Sequence, residues 1–205
     1  MLLHRFILRS ALVSLFLGVA QLSGAASSDD AATMLRSSVE EVLSIAYSSH
    51  ANETLATRVR PALEKCFAFD IVTRQAMGPG WRQFSAAEQK RVTDLFSELM
   101  IRTYSARVVG TQRPKIVFSS PVATASDRCE ILTRVTTSSS NDPIGVVYRM
   151  IKLPAGWRIY DVLIEGVSFV ANYRAQFDEL IQKGGAVAAI RTLEAKLAQP
   201  VPSNS

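Results

Sequence analysis

Three carboxylates, Asp70, Asp161 and Glu165, sit among apolar residues, where their type and setting could support proton transfer. Residues four apart on a strand share a face, so Asp161 and Glu165 would point to the same side of a sheet. Facing carboxylates raise one another's pKa, the arrangement that glycosidic acid–base pairs use. The structural alternative is that each pairs with a base such as Arg149 or Arg158, or caps a helix, since ionic networks perturb carboxylates too. Other chemistry is thinly supplied. There is no G-x-S-x-G, no glycine-rich phosphate loop and no metal-ligand spacing. The two histidines are His4 and His50, and His50 lies in a polar loop, Ser48 to Asn52, where a solvated role suffices. Cys66 and Cys129 are too few for a metal site of three or four ligands, while a disulfide and two buried thiols both remain open.

The elements that must position these groups begin after a distinctive N-terminus. Arg5 and Arg9 flank an apolar run, Ala11 to Ala20, and small residues follow at Ser23, Gly24, Ala25 and Ala26. That layout is a secretory signal with Ser23-x-Ala25 as the cleavage site; the run is short of the ~20 apolar residues of a membrane span. Residues 1–25 are therefore expected to leave, residues 26–198 to form a single domain, and residues 199–205 to be a disordered polar tail. Losing Arg5 and Arg9 lowers the net charge from +5 to +3, a weak argument for nucleic acid. A composition of 48% hydrophobic and 20% charged residues is globular.

Helical periodicity comes first along the chain. Ser28-Asp29-Asp30 can cap a helix carrying Leu35, Val39, Val42 and Ala46 on one face. A second run has Leu55, Val59, Ala62, Leu63 and Phe67, with Pro61 kinking it or opening a new first turn. Asp70 can cap a short helix to Met77, which Gly78-Pro79-Gly80 ends. Ser85 and Glu88 have capping-box spacing before a long helix to about Val108. From Lys115 the period becomes two. Lys115–Ser119, Cys129–Thr137, Ile144–Leu153 and Trp157–Glu165 read as four antiparallel strands with short connections. Helix returns from Val167 to Gln182, breaks at Gly184-Gly185 and runs again from Ala186 to Leu197. Helices packed on one antiparallel sheet describe an α+β domain.

Strict alternation places Ile144, Val146, Tyr148 and Met150 on one face of the third strand. On the fourth, Arg158, Tyr160, Val162 and Ile164 oppose Trp157, Ile159, Asp161 and Leu163. Both faces carry large side chains, which fits helices on both faces or a cavity between sheet and helices.

One stretch resembles a known family. Trp157-Arg158-Ile159-Tyr160-Asp161-Val162-Leu163-Ile164-Glu165-Gly166-Val167-Ser168, followed by Asn172-Tyr173-Arg174-x-Gln176-Phe177, looks like the signature of MlaC proteins, also called toluene-tolerance auxiliary proteins, with a related hopanoid-associated HpnM branch. Phe67-Ala68-Phe69-Asp70, Ala76-Met77-Gly78-x-x-Trp81, Phe96-x-x-Leu99-x-x-x-Thr103-Tyr104 and Tyr148-Arg149-Met150 match further family segments in order. The resemblance covers roughly residues 35 to 197. Ile71 stands where a second aromatic is usual, and Cys66 and Cys129 are outside the family pattern.

The resemblance implies an NTF2-like α+β fold, with a four-stranded antiparallel sheet wrapped by helices around a hydrophobic pocket. It implies a periplasmic carrier rather than an enzyme, with phospholipid as cargo and no cofactor, metal or nucleic acid. Its implied partners are an inner-membrane MCE-domain ABC transporter (MlaD-like) and an outer-membrane lipoprotein (MlaA-like), between which lipid moves to maintain outer-membrane asymmetry. The acyl-chain wall is expected from Phe96, Leu99, Met100 and Tyr104 on the long helix. The sheet would add Val146, Tyr148, Met150, Tyr160, Val162 and Ile164, and the strand–helix corner Val167 and Val170. The competing readings are an acid–base enzyme on the same fold, of isomerase or dehydratase type, using Asp161 or Glu165, and a hopanoid-related lipid carrier.

Overall fold

A computed structural model describes residues 23–48, 53–108, 112–138 and 140–199. The signal assigned to residues 1–25 thus falls almost wholly outside the described residues, as do His50 and most of the tail. Helix α1 (Ser23–Ala46) runs through Ser28-Asp29-Asp30 rather than starting there. Alanines on both sides of that triplet favour continued helix, and the triplet alone does not stop it. Helix α2 (Leu55–Cys66) continues past Pro61, capped by the Thr54 hydroxyl, which accepts from Thr57 N at 3.3 Å. Arg58 Nη1 donates to the carbonyls of Ile45 and Ser48 at 2.9 and 3.1 Å, satisfying the end of α1 and binding it to α2.

Helix α3 (Phe69–Met77) starts one residue before Asp70, which lies in its first turn instead of capping it. A 3-10 turn, Gly78–Gln83, follows. Its Gly80 approaches the C-terminal helix so closely that a Cβ there would lie 2.7 Å from Ile181 Cδ1. Helix α4 (Ala86–Val108) has the expected capping box: Glu88 accepts from Ser85 N at 2.8 Å, and Ser85 Oγ accepts from Glu88 N at 3.3 Å. The Ser85 hydroxyl, which donates to Glu88 Oε2 at 2.7 Å, and the Ser85 amide together hold the Glu88 carboxyl below its usual range.

The sheet has six strands, not four: β1 (Lys115–Phe118), β2 (Val122–Ala125), β3 (Arg128–Thr137), β4 (Ser140–Leu153), β5 (Gly156–Ile164) and β6 (Val167–Ser168). The order is β1-β3-β4-β5-β6, all antiparallel, with β2 pairing β3 beyond the end of β1. The two unexpected strands are short. β2 is fully exposed and so shows no alternation of burial. β6 is a two-residue ladder, Leu163 with Ser168 and Ile164 with Val167, closed by a turn in which Glu165 and Gly166 both take positive φ. Helix α5 (Phe169–Ala198) therefore begins after that ladder, with Ser168 Oγ accepting from Ala171 N at 3.0 Å. The break inside α5 falls at Gly184 and Gly185, and Gly185 has φ +64°, a conformation that glycine adopts without strain.

Burial along β3 shows that the sheet has a covered face and an open one. Cys129, Ile131 and Thr133 are buried, whereas Arg128 and Arg134 are exposed. On the covered face, Cys129, Ile131, Met150, Trp157 and Ile159 pack with Ala31 and Leu35 of α1 and Cys66 of α2. A second apolar core joins α3, α4 and α5 through Met77, Phe96, Tyr173, Phe177 and Leu193. Phe67 touches both cores. Its neighbour Ala68 donates N–H to Ile159 O at 2.9 Å, fastening the start of α3 to the edge of β5.

Candidate functional site

The fold divides the candidate residues between these two cores. Phe96, Leu99, Met100 and Val170 are buried in the helical core, with Tyr104 half-buried against it. Met150 is buried in the sheet core, with Tyr148 and Val162 packed on it. The expected wall is thus two walls, one on each side. Side chains missed in the sequence complete them. Phe169 stacks edge-on to Tyr104 at 4.8 Å and lies 6.3 Å from Phe96; Phe67 stacks on Phe69 at 5.4 Å. Phe67 carried a signal, since it opens the Phe-Ala-Phe-Asp segment. Phe169 read as an ordinary helix residue.

Two concavities are surface grooves: one of about 430 Å³ between α4 and the end of α5, and one of about 130 Å³ between α1 and β1. The larger has a mixed lining, with Ala87, Leu95 and Leu197 beside the charged Lys90, Arg91, Asp94 and Glu98. Apolar surface does emerge at one end of the covered face. Val146 pairs with Ile164, and Ile164 with Val167; Ile164 and Val167 are 46% and 65% exposed, and Ile144 on the same face is 38% exposed. They form a ledge continuous with the inner sheet surface.

Tyr160 lies on the opposite face of the sheet from Met150 and Val162. The β4–β5 register slips between Arg149 and Met150, so Ile159 opposes Met150 while Asp161 opposes Arg149. This bulge reverses the facing of everything before it. Trp157 and Ile159 therefore share the covered face with Val162 and Ile164, and Tyr160 turns out under the Arg128 guanidinium, 5.7 Å from its ring centre.

The carboxylates do not form an acid–base pair. Asp161 is buried and accepts four hydrogen bonds: from Val162 N at 2.9 Å, Val170 N at 3.0 Å, Ser168 Oγ at 2.7 Å and Arg149 Nη1 at 3.2 Å. It is consumed in fixing the first turn of α5 to β5. Arg149 also donates to Glu130 at 2.9 Å, and that bond raises its pKa. Glu165 is exposed beyond the strand end and accepts from Gly145 N. Asp70 is exposed on α3.

The titratable groups in the sheet core are kept neutral. Burial pushes the thiols of Cys66 and Cys129 up to about 11, and both cysteines are free. Burial pushes the Tyr148 phenol up to about 12, the Cys66 thiol adds to this, and a Thr133 hydrogen bond partly opposes it. Trp157 Nε1 is buried with no hydrogen-bond partner among the described residues. No cluster of His, Cys, Asp or Glu among the described residues could hold a metal ion.

Comparison with known proteins agrees with this architecture. A phospholipid-binding protein from Ralstonia solanacearum, solved in complex with a phospholipid, is similar to this chain with a TM-score of 0.74. The two are 24% identical over 82% of this chain and 96% of that one, a likeness that establishes the shared α+β fold. A search of curated proteins gives no match. The family model described as MlaC protein matches residues 36–195, most of the chain, and the chain belongs to the MlaC family.

Proposed function

We propose that this protein is a phospholipid carrier that works without catalysis and takes acyl chains into the seam between its two apolar cores. The observation that carries the reading is the division of the interior: one buried cluster among the helices and another on the sheet, both rich in aromatic and aliphatic side chains, share Phe67 as a neighbour. Cargo would part them, with Tyr104, Phe169, Leu99 and Met100 on the helical side and Tyr148, Val162 and Val146 on the sheet. The exposed ledge of Ile144, Ile164 and Val167 would then be the mouth. Family membership and the phospholipid held by the Ralstonia relative support this reading.

The energetics favour it. Two acyl chains of roughly 15 methylenes each, at ≈ 0.8 kcal/mol per methylene, give on the order of 20 kcal/mol for leaving water. That can offset separation of two surfaces that are themselves apolar. The headgroup can remain in solvent, so the site needs no buried charge. We place this NTF2-like carrier in the periplasm, delivered by the signal over residues 1–25. It would shuttle lipid between a MlaA-like outer-membrane lipoprotein and a MlaD-like MCE-domain ABC transporter. The test is native mass spectrometry and lipid extraction of protein purified without detergent. Co-purified phospholipid in near-stoichiometric amount is expected; apo protein alone, unaltered by incubation with phospholipid vesicles, would sink the reading.

A further inference from the structure

The open face of the sheet is not used by the seam. Its composition is unlike that of a merely solvated surface. A row of apolar side chains crosses it, Leu132 paired with Val147 and Val147 with Leu163, each half-buried. Val117 and Val122 at the β1/β2 edge are 54% and 64% exposed. Around this row stand Arg128, Arg134, Arg149 and Lys115. The acids among them, Glu130 and Asp161, are both taken by Arg149, and Asp127 is 3.8 Å from Arg128. Arg134 and Lys115 have no ion-pair partner among the described residues.

We infer that this open face, centred on the Leu132–Val147–Leu163 row, is the docking surface for an acidic protein partner. Three features argue for a protein over an anionic bilayer. The cations are mainly arginines, whose planar forks bind carboxylates in pairs and which interfaces enrich, whereas lysine is depleted there. Tyr160, held under Arg128, adds an aromatic anchor of the kind that carries binding energy. The apolar residues at the edge are valines, too short to reach the ~5–10 Å that interfacial insertion needs. Net positive charge with all nearby acids engaged leaves acidic complementarity as the way to satisfy Arg134 and Lys115. The inference rests on the carrier reading only for the expectation that a protein partner exists.

The test is photo-crosslinking in the native host, with a benzoyl-phenylalanine placed at Val117 or Val147 and, as a control, at Val187, an exposed position on α5. The expected result is a defined protein adduct from positions 117 and 147 and none from 187. The crosslinked partner peptide should be rich in Asp and Glu. The adduct yield should fall at least about tenfold in Arg134→Glu combined with Arg128→Glu. Adducts to phospholipid instead of protein would overturn the inference in favour of a bilayer, and adducts unaffected by the charge reversals would overturn it as well. Co-purified phospholipid is measured on the same double variant. Unchanged lipid with lost adduct supports docking at this face, lost lipid with a retained adduct overturns it, and absence of lipid from the parent protein bears on the carrier reading alone.

Discussion

Removing the charge of Asp161 while keeping its shape isolates what that carboxylate does. Its Oδ1 accepts from two backbone amides, Val162 and Val170, and its Oδ2 from Ser168 Oγ and Arg149 Nη1. In Asp161→Asn the retained oxygen can keep both amides, but an NH₂ then faces the Arg149 guanidinium, donor against donor. Stripping one partner from a buried pair costs about 3–5 kcal/mol. Arg149 remains 35% exposed and can rehydrate, which lowers the expectation to about 2 kcal/mol. Asp161→Ala also orphans the two amides, and about 3 kcal/mol is expected. At ~2–4 °C per kcal/mol for a domain of this size, the melting temperature should fall by roughly 4–8 °C for the asparagine variant and 6–12 °C for the alanine variant. Glu165→Gln, at an exposed site, should stay within about 0.5 kcal/mol. Thermal and urea unfolding followed by circular dichroism give the three values. An asparagine variant as stable as the parent, or a glutamine variant equally damaged, would refute the assignment of Asp161 as the anchor of α5.

Alkaline pH should weaken the fold. Both thiols rise from 9.0 to about 11 and Tyr148 from 10.0 to about 12 on folding, so between those values the unfolded chain sheds protons that the folded chain keeps. Stability is then full below pH 9 and declines through pH 11; a urea midpoint that holds constant from pH 8.5 to 10.5 would contradict this. The same burial predicts that a thiol reagent at pH 8 labels neither cysteine in the native protein and both after denaturation, since both are free. Gly80→Ala puts a methyl 2.7 Å from Ile181 Cδ1 inside the helical core and should cost about 1–3 kcal/mol in urea unfolding. Tyr148→Asp should abolish co-purified phospholipid, whereas Tyr160→Asp, on the open face, should leave it unchanged; equal loss in both would argue against a seam lined by the covered face.

The parts legible in the sequence were those set by local chemistry. The Ser85–Glu88 box, the Gly184–Gly185 break and the strands β1, β3, β4 and β5 each depend on a few neighbouring residues. The strand positions were visible, but the facing of β5 was not. A bulge is one extra residue forced by pairing with β4, and nothing in Ile159-Tyr160-Asp161 announces it. That single slip moved Tyr160 from the expected wall to the open face. The same limit hid β2 and β6, whose pairing is supplied by β3 and β5 rather than by their own composition. The candidate wall was chosen by apolarity and helix or strand phase, which identify what is buried but not which of two cores a side chain joins. Only tertiary packing separates Phe96 from Met150.

Two cores joined by one phenylalanine also bear on how the molecule comes apart. Adjacent clusters that share little can open independently, so the empty protein should show two cooperative units in hydrogen exchange, with the seam as their boundary. Cargo bridging both would bind only the joined native form and merge them into one, raising the cost of every partial opening. Occupancy would then set lifetime: a carrier that has lost its lipid is the one whose layers separate and present cleavable backbone to proteases.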